Sequence, residues 1–470
     1  MVTTLLQPTP IDDIPRVYET VVTTYRSGRT RPLTWRSAQL VQLSKLVQES
    51  QARILEALST DLGKAPLESA VVEVANLVGM VRLALAHLEE WAAPDRPASL
   101  PAWRANWDCV AHKTPKGAVL IISPWNGPIV LSLGPLVGAI AAGCTAVLKP
   151  SELAPASSAL LAELVPRYLD GSAYAVIQGA APETTRVLEH RWDHILFTGG
   201  ARVARIVAAA AARFLTPITL ELGGKTPVVI DDTVDLDIAA RRILYGKQLC
   251  AGQVCVAPDY VLVPRARQDT FVQALLRAAA EFWPEGSRAS PDLAQMIHGA
   301  ARERLVRMLA QTCGTVVLGG GTGGERRMEI TIVRDLKEDD VLMEEETFGP
   351  VLAVSPVDDI EDALRIIKSK PTPLAIYLFT ESNALKQRFL EETESGVLWF
   401  NDTCQQLAAQ EIPFGGKGES GYGAWFGKAS FDIFTHARSC IDVPFAAEPY
   451  FAPRYPPYTQ EKLDILTNLG

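Results

Sequence analysis

Apolar residues in the first part of the chain recur at helical spacing. Between positions 34 and 61 they fall at Leu40, Leu43, Leu46, Val47, Ile54, Leu55 and Leu58, and the stretch 71–91 behaves alike, so the chain is predicted to open with helices. The period then changes. Short apolar runs at 117–122, 145–148, 174–177, 194–198 and 217–222 are separated by Ala- and Leu-rich segments of helical character. Runs without polar alternation suit strands buried on both faces, which predicts a parallel sheet covered by helices, an α/β fold. Dinucleotides bind such sheets in the crevice beyond the carboxyl ends of the strands, so functional residues are expected just after these runs.

A second alternation follows, with strands predicted at 228–230, 260–263, 374–380 and 396–400 and helices at 268–281 and 360–368. It reads as a second α/β domain, in keeping with a length of 470 residues, which suits two or three domains. The Pro-rich stretch 94–101 precedes an alternating segment, 103–113, predicted as an edge hairpin outside the main sheets.

Composition narrows the function classes. Hydrophobic residues make up 48% and charged residues 21%, an ordinary globular balance. A net charge of -9 leaves no basic surplus for a nucleic-acid backbone. Seven cysteines without framework spacing fit a reducing compartment. The first ten residues lack a leader's basic and apolar regions, and no window holds 18 uninterrupted apolar residues, so a cytoplasmic location is expected.

The segment 246–258, GKQLCAGQVCVAP, places Cys255 after Gly252-Gln253 at the start of an apolar stretch. A cysteine among apolar neighbours is by default a core residue, so its surroundings must argue otherwise. Upstream, Glu221 lies near the end of an apolar run, with Leu222 and then two glycines after it. A carboxylate there has a raised pKa and suits a general base. Asn126 follows the first sheet strand, where it serves either as turn chemistry or as an amide donor to a developing oxyanion. Cys250, five positions before Cys255, is a rival nucleophile or a redox partner for it. Thiol plus carboxylate also suits a cysteine acyl hydrolase or acyltransferase. The six histidines show no ligand spacing with carboxylates or cysteines that suits zinc, and no metal is expected.

Seven motifs then appear in one order: PWN at 124–126, LKPSE at 148–152, FTGG at 197–200, LELGGK at 220–225, GQVC at 252–255, EETFGP at 345–350 and PFGG at 413–416. Together they resemble the aldehyde dehydrogenases. CVAPDY at 255–260 and RYPPY at 454–458 resemble the class 3, fatty-aldehyde branch in particular.

The resemblance implies NAD(P)-dependent oxidation of an aldehyde, hydrophobic in that branch (long-chain, aromatic or apocarotenoid-like), to the acid through a cysteine thioester. Cys255 would be the nucleophile, Glu221 the general base, and Asn126 with the Cys255 N–H the oxyanion hole. Trp125, Lys149, Glu152, Thr198, Gly199, Gly200, Glu346 and Phe348 would bind NAD; Glu152 speaks for NAD over NADP, which stays open. The implied architecture is a Rossmann-like cofactor domain, 1–223, which 103–116 leaves as a bridging hairpin, then a catalytic domain, 224–412. Residues 413–470 would supply an active-site loop, a bridging strand near 439–443 and a tail. A homodimer is implied, with membrane association only through a tail beyond Gly470.

Two features depart from the pattern. The second glycine expected five positions after Gly199 is Ala204, which raises the alternative of a non-catalytic member. The run GGGTGG, 319–324, matches a dinucleotide fingerprint in letters, yet a strand-like segment follows it where the fingerprint needs a helix, so it reads as a turn. The glycine-rich stretch 415–423 lacks phosphate-loop spacing and is expected to lie over the active site.

Overall fold

The computed structural model describes residues 7–321 and 324–468. The first six residues, read above for a leader, two residues of the glycine run and the last two residues of the chain lie outside it.

In chain order the strands are β1 (Asp108–Pro115), β2 (Ala118–Ile122), β3 (Thr145–Lys149), β4 (Tyr174–Val176), β5 (His194–Thr198), β6 (Ile218–Glu221), β7 (Pro227–Ile230), β8 (Tyr260–Pro264), β9 (Thr315–Leu318), β10 (Thr331–Arg334), β11 (Val351–Val357), β12 (Ala375–Phe379), β13 (Val397–Phe400), β14 (Gly421–Tyr422) and β15 (Thr435–Asp442). They form three sheets.

The first has the order β14-β6-β5-β2-β3-β4, parallel except for β14. From β2 the chain winds one way through β3 and β4, then returns to the other side with β5 and β6. The crevice at such a reversal lies beyond the ends of β2 and β5. The second sheet, β13-β12-β7-β8-β11-β10-β9, is parallel except at its β9 edge.

The predicted hairpin at 103–113 is a different object. Trp103 lies in a short 3₁₀ turn, and β1 pairs along its length with β15, from Asp108 opposite Asp442 to Pro115 opposite Thr435. A hairpin needs a tight turn between its strands, and this segment supplies only one strand; the other comes from the end of the chain. The helical spacing over 34–61 is carried by two helices, Leu33–Glu49 and Gln51–Leu62, which meet at Ser50.

Helix Val130–Ala142 runs through the core, and each of its residues except Leu131 is buried. Gly134 is needed there because a Cβ would come within 2.9 Å of the Trp425 ring. Among the described residues one helical stretch, Pro66–Ala92, is long and apolar enough to span a membrane. Its Leu77, Met80, Val81, Ala84 and Leu88 are packed into the core.

Candidate active site

Two cavities meet at one point. The walls of both include Asn126, Leu131, Thr198, Glu221 and Cys255. The first cavity, about 730 Å³ of empty space, is apolar and aromatic, with Met80, Val130, Phe414, Trp425 and Phe426 in its wall. The second opens along the carboxyl ends of the first sheet, between Trp125, Thr198, Gly199 and Gly200 on one side and Glu346 and Phe348 on the other.

Cys255 sits in the loop between a 3₁₀ turn, Leu249–Gly252, and β8, partly exposed to both cavities. Burial, with the carboxylates of Glu346 and Glu221 adding to it, pushes its thiol pKa up. Cys250 faces only the apolar cavity, and burial pushes its pKa up to about 12. Its backbone N–H is tied to Glu68 Oε1 at 2.8 Å and its thiol is directed at the Asn126 carbonyl, 3.6 Å away. The loop geometry therefore presents Cys255, and not Cys250, to both cavities.

Glu221 is the last residue of β6, 3% exposed, and neither of its carboxylate oxygens has a hydrogen-bond partner among the described residues. Burial alone raises its pKa well above the carboxylate range. A buried acceptor without a partner is costly unless it is used. The glycine-rich stretch expected over the site closes this edge: Gly421 of β14 lies opposite Glu221, and Ser420 accepts the Leu222 N–H at 3.0 Å. A Cβ on Gly421 would collide with the Leu220 carbonyl, and its φ of 119° suits glycine alone.

Asn126 is held from both ends. Its Nδ2 donates to the Gln253 carbonyl at 2.8 Å, and its own carbonyl accepts from Lys64 Nζ at 2.7 Å. Lys64 and Glu73, both fully enclosed, form an ion pair at 2.6 Å. Burial, the largest single influence, works against the charge on Lys64, but Glu73, Cys250 and Glu68 together outweigh it, so the pKa of Lys64 rises. Glu73 Oε2 also accepts the N–H groups of Ile129 and Val130, at 2.9 and 3.1 Å, where the core helix begins. The sequence reading missed Lys64, Glu68, Glu73 and Gln253. The available signal was Glu73 itself, a charge set inside the apolar run Val71–Ala75 that had to be paired.

The residues expected to bind the dinucleotide divide into two groups. Trp125, Thr198, Gly199, Gly200, Glu346 and Phe348 line the second cavity. The Trp125 and Phe348 rings stand edge to face, centroids 5.5 Å apart. Burial first, then Asp259, raises Glu346 to about 8. Lys149 and Glu152 do not line the cavity; Lys149 ends β3, beside β2, and Glu152 follows it, with Lys149 Nζ 3.8 Å from Glu152 Oε2 and bonded to the Pro150 carbonyl at 2.7 Å.

The crevice suits a dinucleotide on two counts. Helix Ala201–Ala212 starts at its edge with Gly200 as N-cap and no side-chain cap, leaving first-turn N–H groups for a pyrophosphate. Two aromatic rings and a carboxylate stand opposite. Ala204 is 1% exposed and packs into the core with Phe197, Val207 and Ala211; it is not part of the crevice wall. The run at 319–324 leads into β10 and not into a helix.

The family model for the aldehyde dehydrogenase family matches residues 10–440. The chain belongs to the aldehyde dehydrogenase family. It is 42% identical over 450 residues to aldehyde dehydrogenase family 3 member I1, chloroplastic, of Arabidopsis thaliana, covering 95% of this chain and 81% of that one. It is 41% identical to the beta-apo-4'-carotenal oxygenase of Neurospora crassa over 97% of this chain and 86% of the relative. A solved structure described as the substrate-bound state of Staphylococcus aureus AldH superposes with a TM-score of 0.93 at 35% identity, over 97% of this chain and 99% of that one. The aldehyde dehydrogenase is thus an oxidoreductase acting on aldehydes, and neither the acyl-hydrolase nor the non-catalytic alternative is retained.

Proposed function

We propose that this aldehyde dehydrogenase oxidises an apolar aldehyde with NAD, and with NADP as a second acceptor, through a thioester on Cys255. The observation that carries this reading is the shared junction: thiol, unpartnered carboxyl and amide meet where an apolar cavity joins a crevice that suits a dinucleotide.

The aldehyde enters from the apolar side. Cys255 gives up its thiol proton to water, its Sγ adds to the aldehyde carbon, and the developing oxyanion is held by the Asn126 amide and the Cys255 N–H. The bound dinucleotide supplies the hydride acceptor as the carbonyl re-forms. Glu221 then takes a proton from water, whose oxygen attacks the Cys255 thioester and releases the acid and the free thiol. The Lys64–Glu73 pair acts at one remove, fixing the Asn126 backbone.

The apolar wall supports a hydrophobic substrate. It also adjoins a second chamber across Val72, Asn76, Leu249 and Leu407, giving room for a long chain. Each buried methylene is worth about 0.8 kcal/mol, so kcat/KM is expected to rise roughly fourfold per added carbon until the space is filled. Absorbance of reduced nicotinamide across straight-chain aldehydes of graded length, with NAD and then NADP, measures this; a flat series would remove the reading.

A homodimer is proposed through the β1–β15 ribbon. Asp95 bridges β1 at Ala111, whereas among the described residues no strand pairs with the outer edge of β15, whose side chains after Thr435 are exposed. Unpaired edges of this kind are natural seats for a second copy. Twice the chain mass in solution is expected, and a monomeric mass would defeat the proposal. All seven cysteines are unpaired, which supports a reducing, cytoplasmic location.

A further inference from the structure

We infer that Thr347, clamped by the carboxylate of Asp259, is a positioning residue that sets the pose of Glu346 and Phe348 toward the dinucleotide. The inference rests on the reading of the crevice given above.

The segment 345–348 connects helix Val341–Glu344 to β11 and belongs to neither. Backbone outside a ladder needs other partners to hold one conformation. Here they converge on Thr347, which is fully buried between the two crevice residues. Its N–H donates to Asp259 Oδ2 at 3.1 Å, and its hydroxyl donates to Oδ1 at 2.7 Å while accepting from Lys247 Nζ at 3.2 Å. Lys225 Nζ lies 3.3 Å from Asp259 Oδ1 and donates to the Glu345 carbonyl at 2.7 Å. Arg304 donates to the carbonyls of Glu346, at 3.2 Å, and of Thr347.

Three consecutive residues are therefore gripped by side chains from four separate parts of the chain. The next residue explains the need. Phe348 has a φ of 44°, a left-handed conformation that an aromatic residue adopts only when its surroundings over-determine it. Its ring meets Trp125, and Glu346 lies so close over Gly223 that a Cβ there would come within 2.6 Å of Glu346 Oε2. If the grip on Thr347 loosens, both crevice residues lose their fixed positions.

A cluster that only stitches the second domain together would alter melting temperature and nothing else. Thr347→Val keeps the volume and removes the hydroxyl; Thr347→Ser keeps the hydroxyl. The dissociation constant for NAD, measured by calorimetry without aldehyde, is expected to rise about tenfold in Thr347→Val and to return toward wild type in Thr347→Ser. The KM for NAD should follow, with the KM for aldehyde moving less than about twofold. Asp259→Asn, which keeps the shape, is read the same way and tests the clamp if Thr347→Val does not fold. A lowered melting temperature with unchanged NAD affinity in both variants would overturn the inference. Glu346→Gln and Phe348→Leu separate it from its premise. If those two bind NAD as wild type does, the crevice reading falls and the inference with it; if they weaken NAD while Thr347→Val does not, the inference alone falls.

Discussion

Cys255→Ser is expected to lose formation of reduced nicotinamide by on the order of 10⁴-fold with any aldehyde, while the affinity for NAD stays at the wild-type value. A serine hydroxyl in the same place gives up its proton far less readily than a thiol and is the poorer nucleophile. Nothing in the crevice wall that faces the dinucleotide changes except one atom of Cys255. Cys250→Ser is the matched comparison, because its thiol meets only the apolar cavity and its loop position is fixed by Glu68. It should keep most of the activity. Activity lost in Cys250→Ser but retained in Cys255→Ser would transfer the nucleophile to position 250.

Glu221→Gln should separate the two halves of the reaction. A single burst of reduced nicotinamide, close to one per active site, is expected to survive in a rapid-mixing experiment, while steady turnover falls by about 10²- to 10⁴-fold because no base activates the hydrolytic water. The wild-type pH profile carries the same information. Burial without a partner raises the Glu221 pKa, so the carboxylate accumulates only as the pH climbs past that raised value. Deacylation should therefore increase with pH well above the ordinary carboxylate range, and Glu221→Gln should erase that rise. Loss of the burst as well would mean that Glu221 acts before the thioester forms, by taking the proton of Cys255.

The parallel strands of the first sheet were legible in the sequence because a strand covered on both faces is nearly continuously apolar, as in β2 and β3, which are buried throughout, whereas β14 was not read as a strand. The break at Ser50 was not legible, since neither glycine nor proline marks it and the apolar spacing continues across it. β11 starts directly after the EETFGP motif, and β9 is a half-exposed edge; neither was read as a strand. The residues proposed to carry the chemistry were readable at the borders of apolar runs, Cys255 at the start of one, Glu221 near the end of one and Asn126 in the turn after one. What holds them was not. Lys64 reads as an ordinary helix-end cation, and its partners Glu73 and the Asn126 carbonyl are joined to it only by the folded chain. Likewise nothing near Thr347 in the sequence points to Asp259, which meets it from the start of β8.

The two-residue strand β14 has a consequence for how the enzyme is made. Glu221 leaves the ribosome about two hundred residues before Gly421, and Phe414, Trp425 and Phe426, which wall the apolar cavity, come equally late. Domains fold as units while the chain is still growing, so the first sheet can assemble with one side still open and its buried acid exposed to water. Only when the last tenth of the polypeptide arrives is that acid shut in and its proton affinity raised. A chain halted short of that point would carry the nucleophile and the acid but lack the dry enclosure that tunes them. Aldehyde oxidation, in which the dinucleotide and not the thiol takes the electrons, is therefore expected only once nearly the whole molecule has been synthesised.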